Sequence, residues 1–450
     1  GAGRVKATLL KLIDRIRSSF WFLPSLMAMF AVALAFGMVE LDQYLQHGDE
    51  LPALAWAYGG GAESASAVMQ TIAGSMITIA GVVFSLTLVA LSLASSQFGP
   101  RLLRNFMRDS TNQIVLGTFV ATFLYCLLVL RAIRYSGDGP FVPHLSVTLG
   151  VAFALASLWV LIYFIHHVSV SIQADEIIAR IAKEMAGSIE RVFPQQLGAA
   201  SPAGVRPPPG FDSGAVAVAA DRDGYLQIIN VDELLSLATD HDAVLEIQRR
   251  PGHYVVRGEP LIRLWPGQRI DRELACRVNS AFVLGTQRTP TQDFEYSLLQ
   301  LVEVAVRALS PGINDPFTAI RCIDRLGSAL CCLSQREMPS PYRMDGQQHL
   351  RIIAPTIGFS AMLDAAFNQI RQNARANAAV SIRLLEMLAI IARAADRSED
   401  LSAVCRHADM VHAGAKEALP EAGDRFDVRQ RYLCVCESIS QRSDRLRAAG

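Results

Sequence analysis

Between residues 64 and 100 the chain carries no charged side chain, and small polar residues recur there at a seven-residue step. Thr71, Thr78, Ser85 and Ser92 form one row, and Gly74, Gly81, Leu88 and Ser95 form a second row three residues later. On an α-helix both rows fall along one narrow seam, and the run is long enough to cross a bilayer, with residues 69–93 as its core. Three other uncharged segments, residues 20–39, 113–130 and 145–165, also meet the length of about 20 residues that a membrane helix needs. No segment of comparable length and apolarity follows Asp175.

Beyond the fourth span, Ile177, Ile178, Ile181, Met185 and Ile189 keep a helical spacing, so the same helix is expected to continue to residue 193. A linker rich in Gly and Pro follows, including Pro207-Pro208-Pro209, which cannot hold a helix. The texture then changes to short alternating segments. Residues 216–218, 225–229, 244–247, 254–256 and 261–264 read as strands, with turn signals at Asp223-Gly224, Pro251-Gly252 and Gly258-Glu259-Pro260. A short helix over residues 231–238, which Asp232 is placed to cap, interrupts them. After residue 270 the pattern is helical, with Phe294, Leu298, Leu301, Val302, Ala305 and Leu309 on one face and breaks near Pro355 and Asn373.

The expected fold is therefore mostly α. It comprises a basic amphipathic N-terminal helix (1–19), a four-helix transmembrane domain (20–167), a connecting helix (168–197), a Pro/Gly-rich linker (198–214), a small β-rich module (215–269) and a cytoplasmic α-helical bundle (270–450).

Charge sets the expected orientation, because Lys and Arg are retained on the cytoplasmic side of a membrane. Arg4, Lys6, Lys11, Arg15 and Arg17 precede the first span, and Arg101, Arg104 and Arg108 lie between the second and third. Glu40, Asp42, Asp49, Glu50 and Glu63, with no Lys or Arg among them, lie between the first and second. Arg131 and Arg134 run against this pattern, with Asp138 beside them. Both termini are expected to face the cytoplasm. The stretch at residues 5–17 has no small-residue cleavage site within signal-peptide length and reads as a retained helix.

Formal net charge is zero, and no basic patch with interleaved aromatics appears, so nucleic acid is not an expected partner. Of the eight cysteines, Cys331-Cys332 and Cys434-x-Cys436 form the close pairs, and neither has the spacing of a zinc or redox motif. Free thiols packed as small buried hydrophobes are expected.

The seam of the second span has two physical readings. In lipid, small residues let helix backbones approach and hydroxyls bond across the contact, which makes a packing surface. Hydroxyls lining a water-filled path would instead solvate ions or polar substrates. The readings are compatible in an oligomer, where one helix from each subunit surrounds a common axis. Arg101, Arg104 and Arg108 share one helical face, as headgroup anchors or as a basic mouth favouring anions. The acidic loop would favour cations at the other mouth, which leaves ion sign open. No Asp, Glu, Lys or Arg lies within any of the four segments, which argues against a carrier built on an intramembrane carboxylate. His166 and His167 end the fourth span, as interfacial residues or as titrating groups near a gate.

In the C-terminal part the strongest turn signal is Ser310-Pro311-Gly312-Ile313-Asn314-Asp315-Pro316-Phe317-Thr318-Ala319. Asp315 suits an N-cap and Pro316 the first helical position, so the segment reads as a rigid corner between helices. Ser310, Asn314, Asp315 and Thr318 also make it a candidate ligand corner for an ion or small molecule. Residues 251–261 resemble the turn-strand-turn phrase of biotinyl and lipoyl carriers, but no lysine lies within residues 215–266 to be modified. His407 and His412, near Cys405 and Asp409, are five apart on a helix and do not converge on one tetrahedral site. No P-loop, dinucleotide fingerprint, HExxH or GxSxG is present, so neither an enzyme nor a cofactor is expected.

The phrases at residues 74–85, 95–101 and 310–319 resemble those of an uncharacterised family of bacterial predicted membrane proteins, a domain of unknown function, and the resemblance covers nearly the whole chain. It implies a multi-pass protein of the bacterial inner membrane and supplies no activity. The expected function is an oligomeric channel-like protein with a gating or assembly domain. The alternative is a non-conducting scaffold or sensor whose C-terminal part binds a partner or small ligand.

Overall fold

The computed structural model describes residues 21–46, 59–99, 110–134, 141–171, 173–192 and 205–449. Residues 5–17, Asp49, Glu50, Arg101, Arg104 and Arg108 lie outside them. The chain divides into two compact units, one within residues 5–176 and the other from Ile177 onward.

Among the described residues four helices make the first unit: α1 (Phe22–Gln46), α2 (Ala62–Phe98), α3 (Ser110–Ala132) and α4 (His144–Ser171). Each is long and apolar enough to cross a membrane. The other three all pack on α3, whose buried residues, among them Val115, Phe119, Tyr125, Cys126 and Val129, point in several directions. A helix apolar all round is one that its neighbours surround. Two apolar clusters fill this unit, one around Met69, Tyr125, Cys126 and Val147, the other around Met76, Val83, Phe119 and Phe164.

Two boundaries differ from the sequence reading. Helix α1 does not stop at Val39 but runs to Gln46, so Glu40 and Asp42 belong to its last turns. The helix of the fourth span ends at Ser171, and a separate α5 (Ala174–Val192) follows. Ser169 and Ser171 turn their hydroxyls back onto the Ile165 and Val168 carbonyls, and the Gln173 N–H closes a short turn on Val170. Such side-chain bonds compete with the helical ladder.

In the second unit the five segments read as strands form β1 (Val216–Ala219), β2 (Gly224–Ile229), β3 (Val244–Ile247), β4 (Tyr254–Val255) and β5 (Pro260–Trp265). The short helix is α6 (Val231–Asp240), capped by Asn230 rather than Asp232: the Asn230 side chain accepts the Glu233 N–H. After α7 (Arg272–Ala281) come three strands that the helical reading of residues 270–450 had not foreseen, β6 (Phe282–Gly285), β7 (Tyr342–Met344) and β8 (Leu350–Ile353). One sheet has the order β1-β5-β3-β8-β7, with β3 and β8 parallel and the other pairs antiparallel. The other is the antiparallel set β4-β2-β6. Leu245 faces both Leu264 and Ile352 across the larger sheet, and these three join Leu226, Leu237, Val278 and Phe282 in one core.

A single helical turn at Phe211–Gly214 falls inside the segment read as a linker, just after Pro207-Pro208-Pro209, and the remaining helices are α8 (Glu295–Ala308), α9 (Pro316–Ser334), α10 (Phe359–Asn373), α11 (Ala378–Ala394), α12 (Ser398–Ala418) and α13 (Ala422–Ala449). α11 sits among α9, α12 and α13. Where α9 crosses it, a Cβ on Gly327 would lie 2.1 Å from Met387 Cγ and Sδ. Gly327→Leu is expected to force the two helices apart and lower stability by about 2–3 kcal/mol. Thermal unfolding of the purified chain reads this directly, and an unchanged midpoint would refute the close approach.

The cysteines depart from expectation. Cys126 and Cys322 are buried, but Cys276 and Cys434 are exposed and the other four are half-buried; all are free thiols.

Candidate functional site

Helix α2 has 37 residues and ends at Gly99, whose φ of 108° leaves the helical region. At 1.5 Å per residue it is about 55 Å long, well beyond the ~30 Å of a hydrocarbon core. One side carries Met69, Ala73, Met76, Ala80, Val83, Ala90 and Ala94, all buried, with half-buried Thr87 completing an alternating four- and three-residue spacing. This is a heptad face of its own, and it seats α2 against α3 and α4.

The small polar seam lies elsewhere. Counting 100° per residue, its mean direction is about 150° from the packed face. Thr71, Gly74, Thr78, Gly81, Ser85 and Ser92 are exposed and Ser95 is half-buried. Nothing lies within 4 Å of a Cβ built on Gly74 or Gly81. Thr71 and Thr78 donate to the carbonyls of Ala67 and Gly74 at 2.7 and 2.8 Å, but the hydroxyls of Ser85 and Ser92 have no partner among the described residues. The structure thus brings the seven seam residues together on one face, which the described residues leave exposed except at Ser95, while Arg101, Arg104 and Arg108 lie outside the described residues.

Helix α1 delivers a group that the sequence reading missed. Asp42 is buried, and its carboxylate accepts the backbone N–H groups of Leu145 (3.0 Å) and Ser146 (2.9 Å) and the Ser146 hydroxyl (2.6 Å). It caps the free amides at the start of α4 from another helix. Tyr125, fully buried, donates to the Ser146 carbonyl at 3.0 Å. Between α3 and α4, Thr122 and Ser157 share a buried hydrogen bond of 3.2 Å. Two acidic residues, Glu40 and Asp42, therefore do lie within the first candidate span, and Asp42 spends both carboxylate oxygens on capping α4.

At the corner between α8 and α9, Asp315 caps α9 as its spacing predicts. It accepts the Thr318 N–H at 3.1 Å and the Thr318 hydroxyl at 2.6 Å, while Ser310 donates to the Arg307 carbonyl. Desolvation opposes the carboxylate, but the bonds from Thr318 and Phe317 outweigh it and hold its pKa below the ordinary range. Asn314 takes a φ of 49°, which asparagine tolerates. Three of the four corner residues thus spend polar groups inside the turn.

His166 is exposed, and His167 stacks on Tyr163 with ring centroids 5.8 Å apart. His407 and His412 serve different partners: His407 Nε2 bonds Asp364 at 2.8 Å, and His412 stacks on Tyr432 at 4.5 Å. Burial pushes the pKa of His407 below its ordinary value, outweighing the pull of Asp364; Arg406 and Arg371 push the same way as burial. A histidine depressed in the folded state contributes stability above its unfolded pKa of about 6.5 and loses it as pH falls. The unfolding midpoint is therefore expected to drop between pH 7 and pH 5, with a shallower slope in His407→Phe. Equal slopes would refute this assignment.

A multi-span helical membrane unit followed by a mixed sheet-and-helix unit is the class of protein that these features define. The chain belongs to the predicted membrane protein family DUF2254, which it matches over residues 17–390. It is also similar to an uncharacterized protein of Mycobacterium bovis, 32% identical over 421 residues that cover 91% of this chain and 79% of the relative. An uncharacterized protein of Mycobacterium tuberculosis strain H37Rv matches with the same identity and coverage. No solved structure matches the chain.

Proposed function

We propose that this protein is an oligomeric, channel-like protein of the bacterial inner membrane, with α2 from each copy turned toward a common axis and both termini in the cytoplasm. The uncovered heptad face of α2 carries the reading. In lipid, water or a neighbouring copy supplies hydrogen bonds that the tails cannot, and Ser85 and Ser92, unlike Thr71 and Thr78, bond no carbonyl of their own helix. The described residues do not cover them, and a ring of copies lining an aqueous path gives them both. Arg101, Arg104 and Arg108 follow the cytoplasmic end of this helix and would form a basic mouth. The C-terminal unit would assemble or gate the ring, with no chemical reaction required of it.

The test is ion flux through liposomes that hold the full purified chain, measured under varied voltage, tension and pH, beside disulfide cross-linking of Ser85→Cys. Flux with cross-linking supports the channel. Cross-linking without flux would give the seam to helix packing alone, leaving a non-conducting scaffold or sensor.

A further inference from the structure

Arg343 on β7 has no carboxylate partner among the described residues; its guanidinium donates to the backbone carbonyls of Ser340 and Tyr342. It lines an open cleft of ≈ 410 Å³ in the C-terminal unit, together with Arg249 and Arg250 from the chain just beyond β3. No aspartate or glutamate lines this cleft. Glu259 pairs with Arg249 at 3.2 Å and Glu295 with Arg250 at 3.0 Å, both outside the lining, so Arg343 leaves one positive charge without a counterpart. Arg249 also keeps a buried Nε–H with no acceptor. His253 adds no charge: burial and Arg250 hold its pKa below the ordinary value, and its Nε2 accepts from Arg250 at 3.1 Å.

The walls are fixed before any ligand arrives. Pro251, Pro290 and Pro355 line the cleft, and proline fixes φ and offers no N–H. The Gln292 carboxamide accepts the Ile229 N–H at 2.9 Å and donates to the Ile229 carbonyl at 3.2 Å, as a neighbouring strand would. Next to it Arg288 grips buried Asp293 with bonds of 2.7 and 2.9 Å. Gly252, at φ 94°, lies against that pair, and a Cβ there would fall 2.5 Å from Asp293 Oδ2. The loop carrying Pro290 and Thr291 is therefore held at both ends. Ile229, Ile247 and Phe294 give the cleft a buried apolar lining.

Apolar walls in a cleft that Arg249, Arg250 and Arg343 also line suit a ligand that is anionic at one end and organic at the other. Arginine's planar fork matches phosphate oxygens in pairs. We propose that this cleft binds a phosphate-bearing small molecule, with Arg343 and Arg249 at its phosphate and Ile229, Ile247 and Phe294 against its organic part. The phosphate has two sources within reach of a membrane protein, a soluble metabolite or a lipid headgroup.

Titration calorimetry on the full chain in a nonionic maltoside detergent tests this, with pyrophosphate, adenosine diphosphate and a short-chain phosphatidylglycerol as probes. Saturable binding of the soluble probes, weakened about tenfold or more by Arg343→Gln, supports the site and a soluble source. Binding of the phosphatidylglycerol alone, weakened by the same variant, supports the site with a headgroup as its source. Exposed Thr291→Glu, which sets a carboxylate at the cleft, is expected to abolish binding and serves where Arg343→Gln unfolds. No saturable binding of any probe, or binding that survives both substitutions, overturns the proposal.

Discussion

Ser85→Trp is expected to bring ion flux down to the background of empty liposomes while leaving the oligomer assembled. Ser85 lies on the uncovered face of α2, within about 8 Å of the helix midpoint along its axis. Around a symmetric axis every subunit adds one indole at the same level, so the obstruction multiplies with copy number. The packed face is untouched by the change, because Met76, Ala80 and Val83 point away from it. Leu86→Trp is the control. Leu86 is exposed on a flank about 100° from Ser85, where a large apolar side chain meets lipid, and flux should stay within about twofold of the parent. Full flux through an intact Ser85→Trp oligomer would sink the central-axis arrangement.

Asp42→Ala should be strongly destabilising for the first unit. It strips two backbone amides and one hydroxyl of their acceptor at a buried helix start. Unsatisfied buried groups cost about 1–3 kcal/mol each, partly recovered by relaxation, so a net loss of about 3 kcal/mol is expected. That corresponds to a drop of roughly 6–12 °C in the unfolding midpoint of a domain of this size. Asp42→Asn keeps one acceptor oxygen and should lose about half as much. Thermal unfolding in detergent, followed by circular dichroism, gives both values. Midpoints within 1–2 °C of the parent for Asp42→Ala would show that the cap contributes nothing.

Local chemistry made much of this fold legible. The five strands from Val216 to Trp265 follow from alternation and turn residues, and the Asp315-Pro316 start of α9 follows from capping rules. What escaped is long-range or hidden in uniformity. Asp42 meets Ser146 more than a hundred residues away, and no local spacing announces such a bond. The strands β6, β7 and β8 have three or four residues each, too few to show a period of two. The polar seam of α2 stood out because hydroxyls contrast with their neighbours. The packed face of the same helix was invisible, since alanines and methionines among valines and leucines give no contrast in polarity. The Arg249, Arg250 and Arg343 cleft depends on β7 joining a sheet whose first strands lie over a hundred residues earlier, so its arginines read as unrelated surface charges until the topology is known.

With one heptad row geared into α3 and α4 and another on nearly the opposite side, α2 has little freedom to spin. A twist of about 80° would bring Val82, Val89 and Leu93 to where the hydroxyls stand, but it would also unseat Met69, Met76 and Val83 together. Leaning the rod as a whole keeps those side chains in their sockets. Any opening and closing around these helices would therefore work like the leaves of an iris, each pivoting on its seat, rather than like a set of turning keys.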